Sequence, residues 1–264
     1  MKLAVISDIH GNLLALQAVL ADIARQGVDQ TVNLGDILSG PLQVAETADL
    51  LMTQDFPTIR GNHERQLLAL MHKPRDQLDP LTSDGYAATQ LSPAHAEWLA
   101  SLPASMALND EIWLCHGTPG SDLQYWLETV VPGFEQGQGP GVRAASAAEV
   151  AERLGSGVTH PVVLCGHTHV PRVAQCQGPQ GPVLIVNPGS VGLQAYGDAH
   201  PWPHVVENGA PHARYALLQS DAAGWQVSLR AVPYDHRAQS LAAARNHRPD
   251  WAHALATGFM PGRI

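Results

Sequence analysis

Five short strand-like runs, each stopping at a glycine beside histidine, asparagine or aspartate, limit this chain to few architectures. Leu3-Ala4-Val5-Ile6 stops at Ser7-Asp8-Ile9-His10-Gly11, and Gln30-Thr31-Val32-Asn33-Leu34 stops at Gly35-Asp36. Pro57-Thr58-Ile59 enters Arg60-Gly61-Asn62-His63-Glu64. Ile112-Trp113-Leu114-Cys115 ends at His116-Gly117, and Val162-Val163-Leu164-Cys165 ends at Gly166-His167-Thr168-His169. Short apolar runs bounded by glycine and polar residues read as buried strands. Helical patterns between them give the alternation of an α/β sheet.

The helical spacing is clearest after Asn12, a capping residue, where Leu13, Leu16, Leu20 and Ile23 share one face and Gly27 ends the helix. Further helices are expected over Gln43 to Gln54, in pieces from Arg65 to Leu102, and over Ala144 to Leu154. Ser92-Pro93 is an N-cap followed by proline at the first helical position. A stretch rich in glycine and proline runs from Pro132 to Gly141. Val183 to Val186, Tyr215 to Gln219 and Trp225 to Val232 read as later strands, with a turn at Asp221-Ala222-Ala223-Gly224. The last thirty residues read as a helix and a loose tail. No repeat or linker divides the chain, so residues 1–264 are expected to form a single domain, with the segment around 118–154 a candidate lid or cap.

Charge narrows the function. Fifteen Lys and Arg against 24 Asp and Glu leave a net charge of −9, which argues against a stable nucleic-acid partner held through phosphate contacts. The three cysteines are odd in number, as a reducing compartment permits. The opening MKLAVISD has too short an apolar core for a signal peptide, and no apolar run approaches the ~20 residues of a membrane span. A cytoplasmic protein with no membrane partner is expected. Nothing in the sequence specifies an oligomeric state.

In a largely parallel sheet the carboxyl ends of the strands line one crevice. Asp8, His10, Asp36, Asn62, His63, His116, His167 and His169 all follow such runs. Asp8/His10 and His167/His169 are spaced i, i+2, which in extended chain directs each pair to one side. Imidazole, carboxylate and one amide suit Mn²⁺, Fe²⁺, Zn²⁺, Ni²⁺ or Co²⁺ better than Ca²⁺ or a thiolate zinc site. Seven donors are too many for one ion with an open position but divide between two, with Asp36 the natural bridge.

Asp8-Ile9-His10, Gly35-Asp36, Gly61-Asn62-His63-Glu64, His116-Gly117 and Gly166-His167-Thr168-His169 together resemble the ordered motifs of the calcineurin-like metallophosphoesterases. Asn187-Pro188-Gly189-Ser190-Val191-Gly192 resembles the segment that follows in their small bacterial phosphodiesterase branch. The resemblance implies a four-layer α-β-β-α sandwich. It also implies two divalent cations, manganese first among the choices. One would be held by Asp8, His10, Asp36 and His169, the other by Asp36, Asn62, His116 and His167. His63 would be the catalytic acid that protonates the leaving oxygen, and a metal-bridging hydroxide would attack phosphorus in line. The implied activity is hydrolysis of small phosphodiesters, cyclic nucleotides among them. Phosphomonoester or nucleotide hydrolysis is the alternative on the same core, and a non-catalytic scaffold the more distant one. Gly35-Asp36 lacks the following Asp-Arg of the protein phosphatases, and Ser39 stands where purple acid phosphatases have a tyrosine ligand.

Around this core, Arg60, Tyr125, Trp126 and His204 are the candidate substrate-binding residues. Glu64 either orients a histidine or opens the next helix, and Asn187 and Ser190 are expected to hold the loop beneath the metals. The helix after Asn12 could aim amides at the site.

Overall fold

Alternate residues of the first strand serve two different cores. A computed structural model describes residues 1–262 of the 264. Strand β1 (Lys2–Ile6) leads to helix α1 (Leu13–Gln26), and β2 (Gln30–Asn33) to α2 (Val44–Met52). Helices α3 (Asn62–Met71), α4 (Ser83–Gln90) and α5 (Pro93–Ser101) follow. Next come β3 (Met106–Ala107), β4 (Ile112–Leu114), β5 (Glu128–Val130), β6 (Val142–Ala144) and α6 (Ala147–Leu154). The chain continues through β7 (Val162–Leu164), β8 (Arg172–Gly178), β9 (Gly181–Asn187), β10 (Ala195–Asp198) and β11 (His204–Glu207). It closes with β12 (Ala213–Asp221), β13 (Gly224–Val232), α7 (His236–Arg245) and α8 (Pro249–Thr257).

The two large sheets have the orders β13-β12-β1-β2 and β3-β4-β7-β9-β8, and β10-β11 and β5-β6 form two-stranded ribbons beside them. Leu3 and Val5 of β1 meet Ile112, Leu114, Val162 and Leu164 of the other sheet in a core between the two. Ala4 and Ile6, on the opposite face of the pleat, pack with Leu16, Val19 and Leu67 under the helices. Val163 and Ile185 turn outward to Val150 and Leu154 of α6. The layers are therefore helix, sheet, sheet, helix, the expected sandwich.

Several local expectations change. Pro57–Ile59 forms a single parallel bridge, Asn33 to Thr58, because the chain turns into α3 at once. Helix α6 starts at Ala147, where Ser146 and Glu149 form a capping box, while Val142–Ala144 pairs with β5. The chain end carries two helices, the second opened by Pro249 at its first turn. No helix among the described residues is long and apolar enough to cross a membrane.

Strands β1 and β2 are parallel, as are β4, β7 and β9. Their carboxyl ends meet where the sheets abut: Val191 N donates to Ser7 O (3.0 Å) and Gly192 N to Asp8 O (3.0 Å). A Cβ at Gly166 would collide with Ser7 Oγ, so only glycine permits this approach.

Candidate metal centre

Asp8, His10, Asp36, His167 and His169 are five of the six non-glycine residues with positive φ among the described residues, at +52° to +67°. Left-handed backbone is costly for a side-chain-bearing residue, and its concentration here marks a strained, over-determined site. Left-handed turns and not extended chain therefore direct the i, i+2 pairs, and of the two only Asp8 and His10 converge. As a result His167 and His169 part company. His169 joins Asp8 and His10, whereas His167 joins Asp36 and His116.

Each ligand-candidate histidine is oriented by one backbone carbonyl. His10 Nδ1 lies 2.7 Å from Ser39 O, His116 Nδ1 2.8 Å from Leu34 O, and His169 Nδ1 2.8 Å from Leu193 O. For His167 the bonded nitrogen is Nε2, 3.0 Å from Leu123 O. A carbonyl only accepts, so these nitrogens carry protons and the other nitrogen of each ring faces the site. His10 Nε2 and His169 Nε2 then face each other, lone pair to lone pair, at 3.0 Å. His116 Nε2 sits 3.0 Å from Asp36 Oδ2, and against burial the two carboxylates Asp36 and Asp8 raise its pKa to about 10, so a metal would take the place of that proton. Asn62 Oδ1 is buried and unpartnered, its amide nitrogen turned to Gln66. Facing acceptors with no donor are what a cation resolves, and this donor set fits divalent metal.

Electrostatics agree. Burial raises the Asp8 carboxyl to about 7 against the pull of His116. Burial also drives His10 down to about 4, and burial with His116 drives His167 down to about 4, so both rings are neutral ligands at neutral pH. Asp36 is pushed up by burial, but His116 and His63 hold it well below the usual carboxylate range.

Asp36 is fixed by its surroundings. A Cβ at Gly61 would strike its carboxylate, and His63 N, in the first turn of α3, donates to its Oδ1 at 3.0 Å. The helix terminus that serves the site is thus that of α3, not of α1. The Asn12 side chain caps Ala15 N, and the Leu13 amide is taken up by Gly11 O. Glu64 opens α3 without orienting a histidine. Its buried carboxylate accepts from Asp36 N (2.8 Å), Ile37 N (2.7 Å) and Gly61 N (2.8 Å). Glu64→Ala strands three buried donors and is expected to cost roughly 3 kcal/mol or more in urea unfolding. A loss below about 1 kcal/mol would contradict that anchoring role.

His63 stands at the rim with its ring 5.5 Å from that of His10. Its Nδ1 bonds Asp84 Oδ1 at 2.8 Å. Burial would lower the imidazole, but Asp36 and then Asp84 raise it to about 9, so it is protonated at neutral pH. Asp84, from α4, has no signal in local sequence.

The group opens on a cavity of about 940 Å³ lined by Tyr125, Tyr196, Arg153, Arg248 and Trp251 among others. Of the expected substrate residues, only Tyr125 lines it. Trp126 lies in the core with Nε1 bonded to Val150 O at 3.0 Å, correcting the expected platform. Arg60 is not among the residues that line the cavity; its amide donates to Pro103 O at 2.9 Å. His204 is buried behind Tyr125, 3.0 Å from its hydroxyl. Asn187 and Ser190 hold the loops, Nδ2 of the first reaching Gly166 O (2.7 Å) and Oγ of the second Asp8 O (2.7 Å). Trp251, on the distant helix α8, lies 6.0 Å from the His10 ring.

A family model described as the calcineurin-like phosphoesterase superfamily domain matches residues 1–205. An uncharacterized protein of Methanocaldococcus jannaschii is 25% identical over 268 residues, spanning 94% of each chain. A metallophosphoesterase structure from Sphaerobacter thermophilus aligns with a TM-score of 0.72 and 25% identity, covering 98% of this chain and 100% of that one. A hypothetical protein from Pyrococcus horikoshii shares the fold with a TM-score of 0.68 at 20% identity, covering 97% and 98% of the two chains.

Proposed function

The chain belongs to the calcineurin-like phosphoesterase superfamily, and on that premise we propose that it is a dinuclear, metal-dependent phosphodiesterase acting on small substrates. The observation that carries the reading is the pair of adjoining ligand groups, Asp8-His10-His169 and Asp36-His116-His167, with His63, held by Asp84, beside them. Asp36 and Asn62 complete the two sets. When bound, two divalent ions lower the pKa of a water and offset phosphate charge. The mixed imidazole and carboxylate donors suit a first-row divalent metal, with manganese, iron, zinc, nickel and cobalt the candidates.

The chain's own residues supply the rest. Asp36 holds the turn that presents Asn62 and His63. His63 Nε2, free while Nδ1 is held by Asp84, gives its proton to the departing oxygen. The cavity of about 940 Å³ lies at the upper end for small-molecule sites and has room for both substituents of a diester. Tests with bis-p-nitrophenyl phosphate and p-nitrophenyl phosphate, across Mn²⁺, Ni²⁺, Zn²⁺ and Mg²⁺, separate diester from monoester activity. A higher kcat/KM for the diester is expected, and exclusive monoester turnover would reverse the assignment.

Asp84 also makes a pH prediction. An acid works while protonated, so the rate falls as pH rises through the His63 pKa. Asp84→Asn removes a charge that raises that pKa, and the alkaline limb should move about one unit or more toward lower pH. An unmoved limb would detach Asp84 from catalysis.

A further inference from the structure

Tyr196, on β10, belongs to none of the ligand motifs, yet it ends a hydrogen-bond chain whose direction is determined. His204 Nδ1 lies 2.8 Å from Trp202 O, so in the neutral ring Nδ1 carries the proton and Nε2 accepts. The Tyr125 hydroxyl, 3.0 Å away, therefore donates to His204. With that proton committed, the 2.6 Å contact between the two phenols has Tyr196 as donor and Tyr125 as acceptor. The Tyr196 hydroxyl is also within 3.4 Å of His167 O, and its ring lies 4.7 Å from that of His169. Tyr196 lines the same cavity as Asp36, Asn62 and His63. Of the two phenolic protons in this wall, Tyr196's is the one with freedom to change partner.

We propose that Tyr196 is a phosphate-binding residue. When a phosphate group enters, the hydroxyl turns from Tyr125 to a non-bridging phosphate oxygen, while Tyr125 stays anchored on His204. An anionic oxygen is a stronger acceptor than a neutral phenol, so the exchange favours binding. The inference rests on the phosphoester reading above and adds a substrate contact supplied from outside the ligand loops.

The test is calorimetric titration of the metal-loaded protein with inorganic phosphate. Tyr196→Phe keeps the ring and is expected to weaken binding about tenfold with metal content unchanged, whereas affinity within about twofold of wild type overturns the assignment. A second readout needs no variant. Phosphate should produce a tyrosine ultraviolet difference spectrum in the wild type with the calorimetric midpoint, and its absence overturns the proposal even if the variant fails to hold metal. A wild type that binds no phosphate and hydrolyses no phosphoester would overturn the phosphoester reading and this contact with it.

Discussion

Asp36→Asn is expected to strip at least one equivalent of divalent metal from the protein and to lower kcat/KM by on the order of 10³-fold or more, the scale of several kcal/mol of charge stabilisation. The substitution is nearly isosteric. Its amide oxygen can still accept from His63 N, as Asp36 Oδ1 does at 3.0 Å, so the turn into α3 should survive. What disappears is the negative charge of the Asp36-His116-His167 group, 3.0 Å from His116 Nε2. Buried imidazoles driven toward neutrality contribute no negative charge, which leaves Asp8 and Asp36 as the carboxylates of the centre. Elemental analysis of the purified variant together with steady-state kinetics checks this. Two full equivalents of metal with unaltered turnover would remove Asp36 from the centre.

His63→Ala separates acid catalysis from metal binding. Metal content should be unchanged, because the ring bonds Asp84 and lies outside both ligand groups. The effect on kcat should depend on the leaving group. For an alkyl or nucleoside alkoxide, which cannot depart without a proton, a fall of about 10²–10⁴-fold is expected. For p-nitrophenolate, stable as an anion, the loss should be much smaller. Equal losses on both substrates would mean that His63 binds the phosphate and does not serve as the acid. Because Asp84→Asn tunes the same imidazole, its pH shift should vanish in the His63→Ala background.

The site and the fold differ in how much local sequence conveys. The ligand positions were legible because each lies just past an apolar run, and burial forces such a run into a strand whose end is then a defined place. Leu3 and Val5 against Ala4 and Ile6 show the same logic in the layers, since alternation with both faces apolar requires cover on both sides. The i, i+2 spacing of Asp8 and His10 pointed correctly to convergence and wrongly to its cause. Left-handed φ at Asp8, His10, Asp36, His167 and His169 goes with close approaches such as Gly166 against Ser7, which no local pattern encodes. Trp126 had the composition of a substrate platform but its indole N–H is satisfied by Val150 O within the core.

Residue identity and order along the chain thus conveyed the candidate donors at strand ends and the α/β alternation, because short-range periodicity and burial act within a few residues. Folding in three dimensions decided the rest. It set which carbonyl orients each ring, that Asp84 holds His63, and that Tyr196 and Trp251 line the cavity. Those relations join segments far apart in sequence, where the energies of packing and hydrogen bonding are summed over the whole molecule and leave no mark on neighbouring residues.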